Sequence, residues 1–418
     1  MKALLYSAML AAGFLATTAL AQDKVSLRFA TVFDGPGLEL WAPVIAGFEA
    51  AHPNIEVKIE STAGSGAAVY PDVLRTSMAS GDPADVFFLW GGSISAPFIK
   101  AGQVEQQDAN FAKYGWDKRF PQWTIDRLKQ DGKQYGVPFH GQGMGFFYRK
   151  DIFAANNLTE PKTYAELENI CTVLKTAGIA CGTTGGKFGW HVMRLVDYFI
   201  ETSCGPEVHD QLNALTASWD QPCVVAGYQK LSDWIANGWL VPDFLNVAPD
   251  DSRIPLYQGK AAMIVEGPWF EPALQQAEQD EANYGFFVPP TDHEPSRYSA
   301  FPEQWMVASG SKHKDEAAVF IDYISSVDVQ KANPEAFGAS ATIGIKPDCA
   351  KLPLTCQIVD IVQSDRPAYP PTDQAFEKEL MDSFFEVQDG IVAGKLTPAA
   401  GATLMQERAD AWLAKQKG

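Results

Sequence analysis

Positive charge is scarce in this sequence. Lys and Arg number 33 against 51 Asp and Glu, which leaves a formal net charge of -18 on 418 residues. No basic stripe interrupts that excess, so nucleic acid and anionic membranes are poor partners while solubility is favoured. Histidine is sparse as well. The six (52, 140, 191, 209, 293 and 313) are scattered, with no pair at metal-ligand spacing, so no metal and no cofactor is expected. The cysteines form no C-x-x-C, which removes the main support for zinc and thioredoxin-like readings. No G-x-S-x-G marks a nucleophile elbow, and no Cys, His and Asn arrangement stands out. Internal repeats and low-complexity tracts are missing too.

What is present begins with an export signal. Lys2 forms a short positive region, Leu4 to Leu20 an apolar stretch, and Ala19-Leu20-Ala21 an A-x-A cleavage site ahead of Gln22. Residues 1–21 therefore read as a signal peptide cleaved after Ala21, and the expected location is the periplasm. No cysteine lies near the cleavage point to carry a lipid. About 400 residues remain, enough for two or three domains. The six cysteines (171, 181, 204, 223, 349 and 356) fit an oxidising compartment. Six allow fifteen connectivities. Local pairing, 171 with 181, 204 with 223 and 349 with 356, closes the smallest loops and is the expectation.

Strand and helix patterns alternate along the chain. VSLRFATV (25–32) and IEVKIES (55–61) alternate apolar residues as strands do, and ADVFFLW (84–90) is a continuous apolar run. Between the first two, LELWAPVIAGFEAAHP sets Leu40, Trp41, Val44, Ile45 and Phe48 on one helical face. This order predicts an open parallel sheet. Asp131-Gly132 marks a tight turn. TYAELENICTVLKTAG opens on a capping box, Thr163 with Glu166, and stops at Gly178. AAMIV, YGFFVPP and QWMVA read as later strands, and two helices close the chain.

GQGMGFF (141–147) resembles a nucleotide loop only superficially. The third glycine arrives one residue early for a dinucleotide fingerprint, a strand-like run follows, and no Lys-Ser/Thr pair completes a phosphate loop. Glycines let backbones pass closely and permit wide φ/ψ changes, as a crossing between lobes requires.

Longer motifs carry a family resemblance. VPFHGQGMGFFYRKDIF resembles the crossing segment of the extracellular solute-binding proteins of bacterial ABC sugar importers, the maltose-binding-protein-like family. LRTSMASGDPADVFFLWGG, LYQGKAAMIVEGPW and SKHKDEAAVFIDYISS are similar to further family motifs, in the family's order, and the details look closest to its small-sugar branch. The resemblance spans most of the mature chain. It implies an α/β fold: two Rossmann-like α/β lobes joined by a multi-segment hinge, the type II periplasmic binding protein fold. It places residues 22–144 plus 289–342 in the N-terminal lobe and 145–288 plus 343–418 in the C-terminal lobe. Hinges fall near 144–148, 286–290 and 340–345. The implied function is capture of a mono- or small oligosaccharide in the interlobe cleft and delivery to membrane permease subunits, by a monomer that is not an enzyme.

A pyranose offers flat C–H faces and a hydroxyl rim, which aromatic rings and fixed polar groups complement. Trp90 ahead of Gly91, Trp190 in KFGWH, Trp269 in EGPWF and Trp305 in FPEQW are the ring candidates. For the rim, Asp34 follows the first strand, Glu303 and Gln304 precede QWMVA, and His140 and Gln142 flank the crossing glycines. Glu39, Ser65, His191 and Arg366 complete the candidate set. An exported glycoside hydrolase would also use tryptophans and carboxylates, but no motif marks an acid and a nucleophile. The same fold binding a polyol or amino sugar is a further alternative.

Overall fold

The computed structural model describes residues 24–33, 35–62, 66–294 and 296–417. The stretch read as a signal peptide (1–21), Asp34 and Ser65 lie outside the described residues. Strands β1 (Val25–Thr31), β2 (Ile55–Ser61) and β3 (Val86–Trp90) pair in parallel, with the helices Gly35–Ala51 and Gly66–Ala79 as crossovers. The helix Gly35–Ala51 buries Trp41, Val44 and Phe48 at the spacing its sequence predicts. It starts three residues earlier than the apolar periodicity, and Leu40 is exposed.

The sheet is mixed, not parallel throughout. Its order is β2-β1-β3-β10-β6-β8-β7, where β6 is Gly136–Arg149, β7 Ala180–Thr183, β8 Ala261–Glu266 and β10 Tyr298–Val307. β10 inserts antiparallel between β3 and β6. Two further strands, β9 (Tyr284–Phe287) and β11 (Ala368–Tyr369), attach to β6 and β10. The remaining two, β4 (Lys129–Gln130) and β5 (Lys133–Gln134), form a separate hairpin. Its turn is Asp131-Gly132, both with positive φ, as a two-residue connection of right-handed strands demands.

Among the described residues three buried hydrophobic clusters form, and the two largest flank this sheet. The first gathers Phe29, Trp41, Phe87, Trp305 and Phe320, and the second Phe146, Leu167, Phe199, Trp234 and Met405. β6 belongs to both lobes: it pairs with β10 through Met144, with β8 from Gly145 and with β9 from Phe146. Gly141 and Gly143, two apart on one face of β6, take no positive φ. A Cβ at either would stand 2.8 Å from Val362. These glycines make room for the helix Pro353–Val362 to lie on the strand.

Helix boundaries follow the local signals. Thr163 Oγ1 accepts from the Glu166 N–H at the start of Tyr164–Thr176, while the Glu166 carboxylate reaches back to the N–H of Lys162, one residue beyond the expected box partner. The three disulfides are Cys171–Cys181, Cys204–Cys223 and Cys349–Cys356, as local pairing predicts.

A buried ionic network joins the helix Trp190–Cys204 to the residue ahead of β10. Arg297 donates to both oxygens of Glu201 at 2.8 Å and to Asp210, and Glu201 also meets His209 Nδ1 at 2.7 Å. Burial opposes ionisation of Glu201, but the hydrogen bonds from Arg297 and His209 outweigh it and bring the carboxyl to about 2.

Candidate functional site

One wall of the site comes from β10 and β6. Glu303 Oε2 lies 2.7 Å from His140 Nδ1 and accepts from Gln142 Nε2 at 2.9 Å. The other nitrogen of His140 faces the Phe337 carbonyl at 3.0 Å. In the same layer Glu303 stands opposite Trp90 of β3, and Phe301 opposite Gln142. Trp90 is half-buried and packs against both cores, so it sits where the lobes meet.

The facing wall is built on the helix Trp190–Cys204 and the turn after β8. Trp190 and Arg194, four residues apart, share one face of the helix. The Arg194 guanidinium lies over the Trp190 ring at 5.9 Å and over Phe301 at 5.2 Å. Trp269 approaches Trp190 edge-on at 6.4 Å and Phe301 at 6.2 Å. Its indole N–H donates to Glu266 Oε2 at 2.5 Å, and the other oxygen of that buried carboxylate accepts from Arg253 Nε at 2.7 Å. Glu266 thus fixes the plane of the Trp269 ring through an ion pair that is itself inside the lobe.

A one-turn helix, Thr372–Ala375, closes the arrangement. Arg194 Nη2 donates to Asp373 Oδ2 at 3.2 Å. Burial pushes the Asp373 carboxyl above the ordinary range, and the Arg194 charge opposes that shift. Several buried atoms here have no protein partner: Arg194 Nε and Nη1, Asp373 Oδ1, Gln374 Oε1 and Gln142 Oε1. The set mixes donors with acceptors beside half-buried aromatic faces. Hydroxyl groups, which both donate and accept, complement such a set, and C–H faces complement the rings. A separate cavity of about 260 Å³ is lined by Gly92, Ser93, Gln374, Phe376 and Trp412, and by none of the rings above.

The structure brings together Trp90, His140, Gln142, Trp190, Trp269 and Glu303 from the sequence candidates. Gly91 is beside them, its N–H bonded to the Pro302 carbonyl at 3.1 Å. Five candidates fall elsewhere. Trp305 is 1% exposed within the first core, among Phe29, Trp41 and Phe139, because it lies two residues farther into the strand than Glu303. Gln304 alternates onto the other side of β10, fully buried, and donates to the Trp90 carbonyl at 3.3 Å. His191 is satisfied inside the second lobe by the Gly185 N–H and the Val265 carbonyl, and burial lowers its pKa. Arg366 is exposed and holds Ser296 at 3.0 Å. Glu39 is exposed on the helix Gly35–Ala51, past its first turn. Glu303 and Gln304 also lie within β10, not ahead of it: the strand begins at Tyr298, and Pro302 is carried by a register shift between Pro302 and Gln304.

Sequence reasoning missed Arg194, Phe301, Glu266, Asp373 and Gln374. Arg194 and Asp197 are charges inside the apolar run HVMRLVDYFI, four and seven residues beyond Trp190, and that placement was a readable signal. Asp373 gave none, because a partner 179 residues away defines its place.

The family model for bacterial extracellular solute-binding proteins matches residues 32–331. An ABC transporter extracellular-binding protein of Pyrococcus horikoshii is 28% identical over 254 residues, 59% of this chain, and the chain spans 58% of that protein's length. A multiple sugar-binding protein of Streptococcus mutans is 22% identical over 316 residues, 73% of this chain and 72% of that protein. A structure solved in work on xylan utilization by the thermophilic bacterium Caldanaerobius polysaccharolyticus superposes with a TM-score of 0.83 at 24% identity, covering 92% of this chain and 100% of that one. The shared architecture is that of two α/β lobes, the type II periplasmic binding protein fold.

Proposed function

Because this chain belongs to the bacterial extracellular solute-binding protein family, we propose that it is the sugar receptor of an ABC importer. It captures a mono- or small oligosaccharide between its lobes and passes it to membrane permease subunits. The observation that carries this reading is the set of half-buried rings Trp90, Trp190 and Trp269, backed by the buried Phe301, beside Glu303, Gln142 and Arg194. Stacking rings cover the sugar's C–H faces, and the unpartnered donors and acceptors take its hydroxyls. The names of relatives such as the multiple sugar-binding protein point the same way.

The lobes divide at residues 22–144 plus 289–342 and 145–288 plus 343–418, with β6 and β10 as shared strands; the changes of partner along β6 support that division. The protein acts as a monomer in the periplasm after cleavage at Ala21, and works as a receptor instead of an enzyme. Glu303 is held by His140 and Gln142, an arrangement suited to a fixed hydrogen-bond acceptor.

The test is a thermal-shift screen of the mature protein against mono- and oligosaccharides, polyols, amino sugars and uronates, with each mixture then assayed for product. A large shift for one or two sugars without turnover is expected. Turnover would replace the receptor reading with a hydrolase, and a shift only with non-sugars would replace the ligand class.

A further inference from the structure

Resting on the cleft as a sugar site, we propose that His140 is a specificity-determining residue. Held as an imidazolium between two acceptors, it cancels the charge of Glu303 and tunes the cleft to neutral sugars over amino sugars. Both of its ring nitrogens face oxygen. Nδ1 lies 2.7 Å from Glu303 Oε2 on β10, and Nε2 lies 3.0 Å from the carbonyl of Phe337, which ends the helix Pro334–Phe337. A neutral imidazole owns one N–H and would aim a lone pair at whichever oxygen it did not serve. Turning the ring over would set carbon at these hydrogen-bond distances, so the positions of the nitrogens are fixed. An ordinary carboxyl is a stronger acid than an imidazolium, so the proton between Glu303 and His140 belongs to the ring.

His191 is the contrast within the same chain. Its Nδ1 accepts from the Gly185 N–H at 3.2 Å while its Nε2 meets the Val265 carbonyl at 2.8 Å, one donor and one acceptor, as a neutral ring requires.

Among the described residues no other ion pair engages Glu303. Gln142 Nε2, a neutral donor, shares its Oε2 at 2.9 Å. On the helix Pro334–Phe337, Glu335 pairs with Lys351. On the facing wall Arg194 is turned to Asp373, and Asp197 accepts from Thr372. Glu303 Oε1 takes no hydrogen bond among the described residues, and the side chain is 10% exposed, which leaves that oxygen as an acceptor for a ligand. A sugar hydroxyl can donate to Oε1 whether or not the pair is neutral. An ammonium group gains far more from a carboxylate that has lost its imidazolium. His140 thus acts against cationic ligands more than for any one hydroxyl.

Two measurements decide this. First, nitrogen NMR of the sugar-free protein, labelled at histidine, reads the protons on each ring at neutral pH. The His140 signals are assigned by their disappearance in His140→Gln. Both nitrogens are expected to carry protons in the parent, and a single-tautomer pattern at His140 overturns the proposal. This arm needs no sugar, so it stands even if the sugar reading fails.

Second, calorimetry at about pH 6, where an aliphatic ammonium is fully charged, compares matched neutral and amino sugars on the parent and His140→Gln. The pairs are D-glucose with D-glucosamine, D-galactose with D-galactosamine, and cellobiose with the dimer of glucosamine. The substitution keeps an N–H for Glu303 and removes the positive charge. The parent is expected to favour the neutral member, and the variant to shift the ratio about tenfold toward the amino member. Equal losses for both members at an unchanged ratio would make His140 merely structural and overturn its role, as would a parent that prefers the amino member. If neither protein binds any of the six sugars, the sugar reading is what fails, and the ring protons alone then decide the charge of the pair.

Discussion

At the scale of single residues, a tryptophan's role is set by how far along its strand or helix it sits. Trp90 ends β3 and Trp269 follows β8, and both reach the junction of the lobes. Trp305 lies two positions inside β10 and is lost to the core. Composition cannot separate these cases, but position does: Trp90 ends its strand, Trp269 follows one and Trp190 begins its helix, whereas Trp305 lies inside β10. Trp269→Ala is expected to weaken sugar binding by roughly 2 kcal/mol, on the order of thirtyfold, and to lower Tm because the buried Glu266 carboxylate loses the indole N–H; calorimetry with the sugar found by screening checks the first. Glu266→Ala acts differently. It leaves Arg253 without its buried partner and the Trp269 indole without an acceptor, so a loss of about 3 kcal/mol in urea unfolding is expected alongside weaker binding.

At the scale of elements, local signals were readable and long-range ones were not. Thr163, Gly178 and the Asp131-Gly132 turn mark their boundaries in the chain itself. The true start of β10 at Tyr298 depends on pairing with β6 and β11, and Pro302 disguises it. The alternating glycines show the same division. Their sequence signals close approach and torsional freedom equally, and the structure uses the first at Gly141 and Gly143, against Val362 and Ile358. Gly143→Val should therefore lower unfolding stability by about 1–3 kcal/mol through overpacking, visible as a reduced denaturant midpoint without ligand. If only affinity fell, the glycine would be serving as a torsional hinge.

At the scale of the whole molecule, motif order along the chain revealed two lobes, whereas the buried pair of Glu201 and Arg297 was invisible because the two are far apart in sequence. Their pairing predicts an acid limit. The folded Glu201 carboxyl is depressed to about 2, so its stabilisation is complete above the ordinary value near 4.3 and is lost as pH falls toward 2. A loss of about 3 kcal/mol over that interval is expected. Arg297→Met should lower stability at neutral pH and flatten the acid dependence of unfolding, as chemical denaturation from pH 2 to 7 would record.

The insertion of β10 between β3 and β6 also orders events during synthesis. The first lobe cannot complete its sheet until residue 307 has been made, more than two hundred residues after β3. A nascent chain therefore carries an unfinished lobe for most of its elongation, and such distant pairing is slow to form. On the proposed export route, that delay keeps the polypeptide open while it is threaded through a translocon.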